Sequence, residues 1–200
     1  MAIKSIVSLI AATAALMTPA AAFAHTGLGE TGGLVHGFMH PVGGLDHVLA
    51  MVMVGLLAAE IGGRALWLVP ATFVAVMALG GALGVAGLPL PFVEIGIALS
   101  VVVLGGMVAL SRETSMLAAA GIVGLFAVFH GYAHGAEMPA DADGLAYAGG
   151  FMAATALLHA AGIGLGMAVA RLNTVTGPLL VRSAGALAAV AGLGLLAGTL

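Results

Sequence analysis

The chain has 200 residues, 62% of them hydrophobic and only 6% charged, whereas a soluble domain carries about a quarter charged residues. This composition places it among membrane proteins. A net charge of −3 without any basic stripe excludes nucleic acid as a partner, and the absence of cysteine excludes disulfides, thiolate zinc sites and iron–sulfur ligation. The 32 glycines indicate close helix–helix packing, because small residues let helix backbones approach one another in lipid.

Residues 1–24 read as a cleaved signal peptide. Lys4 supplies the positive n-region, Ile6 to Met17 the apolar h-region, and Ala22-Phe23-Ala24 the A-x-A cleavage signature. The alternative is an uncleaved first helix. Cleavage leaves His25 at the mature N-terminus, where the terminal amine and the imidazole can chelate a metal together.

Apolar runs of the length a spanning helix needs, about 20 residues, follow at 36–58, 65–86, 90–110, 115–134, 146–170 and 182–200. Only short breaks separate them, so the expectation is an all-α membrane protein. Residues 25–200 would form a single six-transmembrane-helix bundle after the cleaved signal peptide. With the mature N-terminus outside, Arg64, Arg112, Arg171 and Arg182 all fall in inward breaks, as the positive-inside rule requires. The longest outward break is acidic, with Glu137, Asp141 and Asp143. The expected location is the bacterial inner membrane, with both mature termini in the periplasm.

Five of the seven histidines lie in two blocks, His36-Gly-Phe-Met-His40-Pro-Val-Gly-Gly-Leu-Asp46-His47 and Phe129-His130-Gly-Tyr-Ala-His134-Gly-Ala-Glu137. An ionisable group at membrane depth costs on the order of 3 kcal/mol and is a functional-site hypothesis by default. Imidazole and carboxylate together are the ligands of a borderline divalent transition metal. On a straight helix His36, His40 and His47 share one face, within about 40°. His40 and His47 would still be about 10 Å apart along the axis, which suits two successive stations better than one shared ion. Pro41, Gly43 and Gly44 either break the helix and free carbonyls for an ion, or mark a plain helix start.

His130, His134 and Glu137 again share one face. The pattern His-Gly-aromatic-x-His thus occurs twice, three spans apart, which suggests an inverted repeat, although both copies lie near the outer side. Glu94 reads equally as a ligand, a partner of a ligand or a solvated helix-start carboxylate. His159, in the middle of the fifth span, reads as a hydrogen-bonded core histidine. Met39, Met51, Met53 and Met138 read as packing.

These blocks resemble the HupE/UreJ family of nickel permeases and hydrogenase or urease accessory proteins. The first family pattern, His, five residues, then Asp-His, is met by His40, Asp46 and His47. The second, Phe-His-Gly-x-Ala-His-Gly-x-Glu, is met from Phe129 to Glu137. A separate nickel/cobalt transporter family has four intervening residues in its first motif, against five here. The resemblance covers the whole chain. It implies import of Ni²⁺ as substrate, and an indirect link to the maturation of a nickel hydrogenase or urease. The residues by themselves also admit cobalt or another divalent metal, and a membrane metal chaperone that does not transport. No enzymatic activity is expected, since both His-Glu-x-x-His and a P-loop are absent from the sequence.

Overall fold

The computed structural model describes residues 33–110, 114–138 and 143–198. The expected signal peptide and His25 lie outside them. The described residues form seven helices: α1 (Gly33–Gly43), α2 (Leu45–Ile61), α3 (Ala65–Val85), α4 (Val93–Leu110), α5 (Met116–Ala136), α6 (Gly144–Ala170) and α7 (Thr176–Leu196). Strands are absent among these residues. In lipid, only a helix or a closed barrel satisfies every backbone N–H and C=O internally, and the long apolar runs of this chain take the helical solution. The helices α3 to α7 are each long and apolar enough to cross a membrane.

The expected single helix at 36–58 is instead a bent pair. The segments α1 and α2 are long and apolar enough to cross only when taken together, and they meet at 82° across Gly44. Pro41 does not start a helix, because it lies inside α1. It has no N–H to offer the carbonyl one turn earlier, and the helix ends two residues later. Gly44 follows in extended conformation, at φ −94° and ψ 121°. A Cβ at Gly44 would come within 2.7 Å of Asp46 Oδ1 and 3.2 Å of His47 Nδ1, so the corner also leaves room for the side chains that follow it.

A second difference concerns Arg182, expected in an inward break. The last helix begins earlier, at Thr176 with Pro178 in its first turn, where proline is well tolerated. Arg182 therefore lies inside α7, and its Nε donates to the Ala109 carbonyl at 3.0 Å. This satisfies one of the orphan carbonyls at the C-terminal end of α4.

The short α2 is the hub and touches every other described helix. Its Met51 and Val54 share a buried core with Val69, Phe73, Leu104 and Val123. Outward, large apolar side chains are exposed, among them Trp67, Leu79, Leu125, Leu157 and Leu187. In water such a surface would aggregate, whereas in a bilayer it faces lipid.

The most extensive seams join α3 to α5, α4 to α7, and α6 to both α1 and α2. Glycines line all of them. A Cβ at Gly80 would run into the Val128 carbonyl, one at Gly105 into the Ala189 N–H and Gly185 carbonyl, and one at Gly162 into the Val52 carbonyl. Because the obstruction is backbone, it cannot rotate away. Gly80→Ala and Gly105→Ala are each expected to cost about 1–3 kcal/mol through overpacking, read as a lower Tm of the purified protein in detergent. Gly121 has open space around its Cβ position, so Gly121→Ala should hold or slightly raise Tm, alanine being the better helix former. Equal Tm for all three variants would refute backbone contact at these seams.

Candidate metal centre

The bend at Gly44 turns the first histidine block around a corner, and the C-terminal turns of α5 fill that corner. Three elements then meet at one end of the bundle: the end of α1 with His40, the start of α2 with Asp46 and His47, and the end of α5 with His130, His134 and Glu137. The rings of His40 and His47 lie 4.7 Å and 4.3 Å from that of His134. The axial separation expected of a straight helix is thereby removed. His40 and His47 flank one common histidine instead of forming two stations along a line.

Asp46 Oδ1 accepts from the His47 backbone N–H at 2.8 Å and lies 2.8 Å from His47 Nδ1. A carboxylate can only accept, so the contact assigns the ring proton to Nδ1 and leaves the Nε2 lone pair of His47 free. That Nε2 points at His134 Nε2, 2.5 Å away. Two imidazole nitrogens aimed at each other share either a proton or a cation. On the other flank, His40 Nε2 is 3.5 Å from Glu137 Oε2. One ligand atom each from His40, His134 and Glu137 falls within a span of 4.8 Å, a size that one metal ion can bridge.

One turn below His134, His130 is completely buried. Its Nε2 is 2.8 Å from Ser100 Oγ, and Ser100 Oγ donates to the Ile97 carbonyl at 2.6 Å. The serine has a single hydroxyl proton, already committed to Ile97, so it accepts from His130 Nε2–H. The lone pair of His130 is therefore on Nδ1, which has no hydrogen-bond partner among the described residues. Ser100 thus does for His130 what Asp46 does for His47. Hydrogen-bond partners that set the tautomer in this way are characteristic of histidines that bind metals.

Glu94, in the first turn of α4, lines a cavity of about 290 Å³ with His40, Asp46, His47, His134 and Glu137. Glu94 thus borders the cluster from a fourth element while itself remaining exposed. His36 stands apart. It is exposed, 6.4 Å from His40 and 5.9 Å from Tyr147 between ring centroids, and is a rim residue. The two His-Gly-aromatic-x-His copies meet at one end of the bundle and supply one cluster.

His159 is buried as expected but not hydrogen-bonded as expected: neither ring nitrogen has a partner among the described residues. Its surroundings are apolar, with the Phe73 ring 5.1 Å away. Sequence reasoning passed over Ser100, Tyr147 and Phe151. The lone hydroxyl of Ser100 in an otherwise apolar span was a usable signal. The Phe151 ring, 3.9 Å from that of His134, carried none, since an aromatic residue in an apolar span is ordinary.

Comparison with known proteins agrees with these motifs. The family model described as HupE / UreJ protein matches residues 13–195. Protein HupE of Rhizobium leguminosarum bv. viciae is 48% identical over 185 residues, covering 92% of this chain and 95% of the relative. No solved structure matches. A family match over nearly the full length, together with a relative of that identity and coverage, establishes that the chain belongs to the HupE/UreJ family.

Proposed function

We propose that this protein is a nickel permease of the inner membrane, carrying Ni²⁺ from periplasm to cytoplasm. In this reading the signal peptide is cleaved, α1 and α2 together make the first of six spans, and residues 25–200 are one transmembrane domain with both termini outside. The observation that carries the reading is the convergence of His40, His47, His134 and Glu137 from three elements, with two nitrogen lone pairs set free by Asp46 and Ser100. Family membership supports nickel as the substrate.

The donor set suits that task. Glu94 and Glu137 at the mouth attract a hydrated cation and replace part of its water shell. The imidazoles of His40, His47 and His134 then offer neutral nitrogen, and His130 Nδ1 offers the next lone pair inward. Nitrogen and oxygen donors suit borderline divalent ions, and a transported ion must be held weakly enough to leave, which a thiolate cage would oppose. At the opposite end, a mostly apolar cavity of about 730 Å³ carries Glu60, Thr114 and Asn173 on its lining, oxygen donors past which an ion can be discharged.

The direct test is uptake of Ni²⁺, Co²⁺ and Zn²⁺ into proteoliposomes. His40→Ala, His47→Ala, His134→Ala and Glu137→Gln are expected to lower Ni²⁺ uptake at least about tenfold at matched protein levels, and Asp46→Asn and Ser100→Ala by about 10–100-fold through loss of tautomer control. His36→Ala and Glu94→Gln should be milder. Gly44→Ala is informative because its Cβ would displace the end of the Asp46 side chain rather than backbone; it should fold normally and still lose uptake. Wild-type uptake by His40→Ala and His134→Ala together would overturn the site.

Binding should also depend on pH. A ligand imidazole must be neutral, and an ordinary histidine titrates near about 6.5. Protons therefore compete with metal as pH falls from about 7.5 to about 5.5. Equilibrium Ni²⁺ affinity of the purified protein is expected to fall on acidification, and an affinity that rises as the pH falls would exclude a histidine-dominated site.

Topology gives an independent check. Reporter fusions at the C-terminus should be active only when the reporter works in the periplasm. Fusions after Arg64 and Arg171 should report cytoplasm.

A further inference from the structure

His159 is used by nothing described so far, yet it is one of the largest fully buried polar side chains, 1% exposed. Both of its ring nitrogens lack a hydrogen-bond partner among the described residues. A buried polar group left unsatisfied costs about 1–3 kcal/mol, so a histidine kept merely for packing would be better replaced by phenylalanine or leucine.

Its position is more telling than its burial. On α6, Tyr147, Phe151, Thr155 and His159 recur every fourth residue and are all buried, forming one stripe along the helix. From the outer end inward, Tyr147 faces His36 and His40, Phe151 packs on His134, Thr155 Oγ1 approaches Met77 Sδ, and His159 meets Phe73. The same Phe73 ring lies 5.6 Å from the ring of His130. Depth can be read from helix rise. His130 is four residues below His134 on α5, or about 6 Å, and His159 is eight residues below Phe151 on α6, or about 12 Å. Imidazoles therefore stand at three depths about 6 Å apart. The lone pair of the middle one, on His130 Nδ1, and both nitrogens of the lowest are unpartnered.

We infer that His159 is a second, deeper binding station for a borderline divalent cation, receiving it from His130 past the Phe73 ring. This inference rests on the transport reading given above. The neutral imidazole of His159 donates a lone pair, and the hydroxyl oxygen of Thr155, one turn above on the same stripe, is its nearest polar neighbour along α6. Transfer is an exchange of one imidazole lone pair for another and releases no proton. The station would carry the ion from the buried end of the outer cluster into the middle of the bundle, where no Asp, Glu, Lys or Arg side chain of the described residues is buried.

The test is Ni²⁺ binding and uptake by the full-length protein in detergent and in proteoliposomes, with His159→Gln and His159→Cys. The wild type should bind more than one equivalent of Ni²⁺. Folded His159→Gln should lose one equivalent, keep the affinity of the other unchanged, and take up Ni²⁺ on the order of tenfold more slowly. His134→Ala should weaken the equivalent that His159→Gln retains. Because the chain has no cysteine, His159→Cys introduces a single thiol. Titration with Cd²⁺ should then produce a cadmium–thiolate absorption band that the wild type lacks, and Cd²⁺ should protect the thiol from a small alkylating reagent. This arm holds even if His159→Gln is unstable. Wild-type stoichiometry and uptake in folded His159→Gln, or a His159→Cys protein that binds Cd²⁺ without the thiolate band, would overturn the deeper station while leaving the outer site standing. Failure of the wild type to bind any Ni²⁺ would overturn the transport reading and this inference together.

Discussion

The break at Gly44 is the constraint on which the site depends. A continuous helix would hold His40 and His47 at different depths, and His134 could meet only one of them. Bending the chain by 82° at a residue without a side chain converts axial separation into two sides of a corner, and the end of α5 fills the corner. Pro41 contributes by removing one hydrogen bond from the last turn of α1. Gly44 contributes by leaving space for Asp46 to lie against His47. Without this local failure of helix geometry the histidines would remain separate buried polar groups, each a cost in lipid.

The rest of the fold makes that failure tolerable. In a bilayer, apolar side chains gain little by choosing a helix over a lipid tail, so association relies on close packing. Glycines bring the backbones of α3 and α5, of α4 and α7, and of α6 with α1 and α2 into contact. Such seams hold the end of α5 in place against the corner. The hub helix α2 touches every other described helix, so the residues at its start, Asp46 and His47, are anchored from all sides. The apolar exterior then needs no specificity beyond matching lipid.

Within the site, two hydrogen-bond partners outside the histidine cluster decide which nitrogens are available. Asp46 accepts a hydrogen bond from His47 Nδ1–H, and Ser100 accepts one from His130 Nε2–H. The two solutions use different ring nitrogens because the two histidines approach from opposite helices, one from the start of α2 and one from near the end of α5. The common result is one unprotonated ring nitrogen on each histidine, Nε2 of His47 and Nδ1 of His130. Local chemistry of this kind matters more in a low-dielectric interior than in water, since a ring in the wrong tautomer there would leave its polar atoms unpaired with no water to correct it.

Much of this was legible in the sequence, for reasons rooted in composition and spacing. Apolar runs about twenty residues long permit only helices in lipid, so the all-helical class followed directly. The extents of α3 to α6 lie within a few residues of those expected. Grouped imidazoles and carboxylates in apolar surroundings marked His40, Asp46, His47, His130, His134 and Glu137 without any coordinates, because few structural roles for such residues exist there. Tertiary structure alone decided the rest. Whether Pro41 and Gly44 start, bend or break a helix depends on what packs into the corner, and so does the meeting of His40 and His47 around His134. Ser100 and Tyr147 join the site only through contacts between helices far apart in the chain, which no local pattern encodes. The orphaned nitrogens of His159 are likewise a property of its neighbours: from sequence it is one more buried histidine, and only its packing beside Phe73 reveals that no described residue satisfies it.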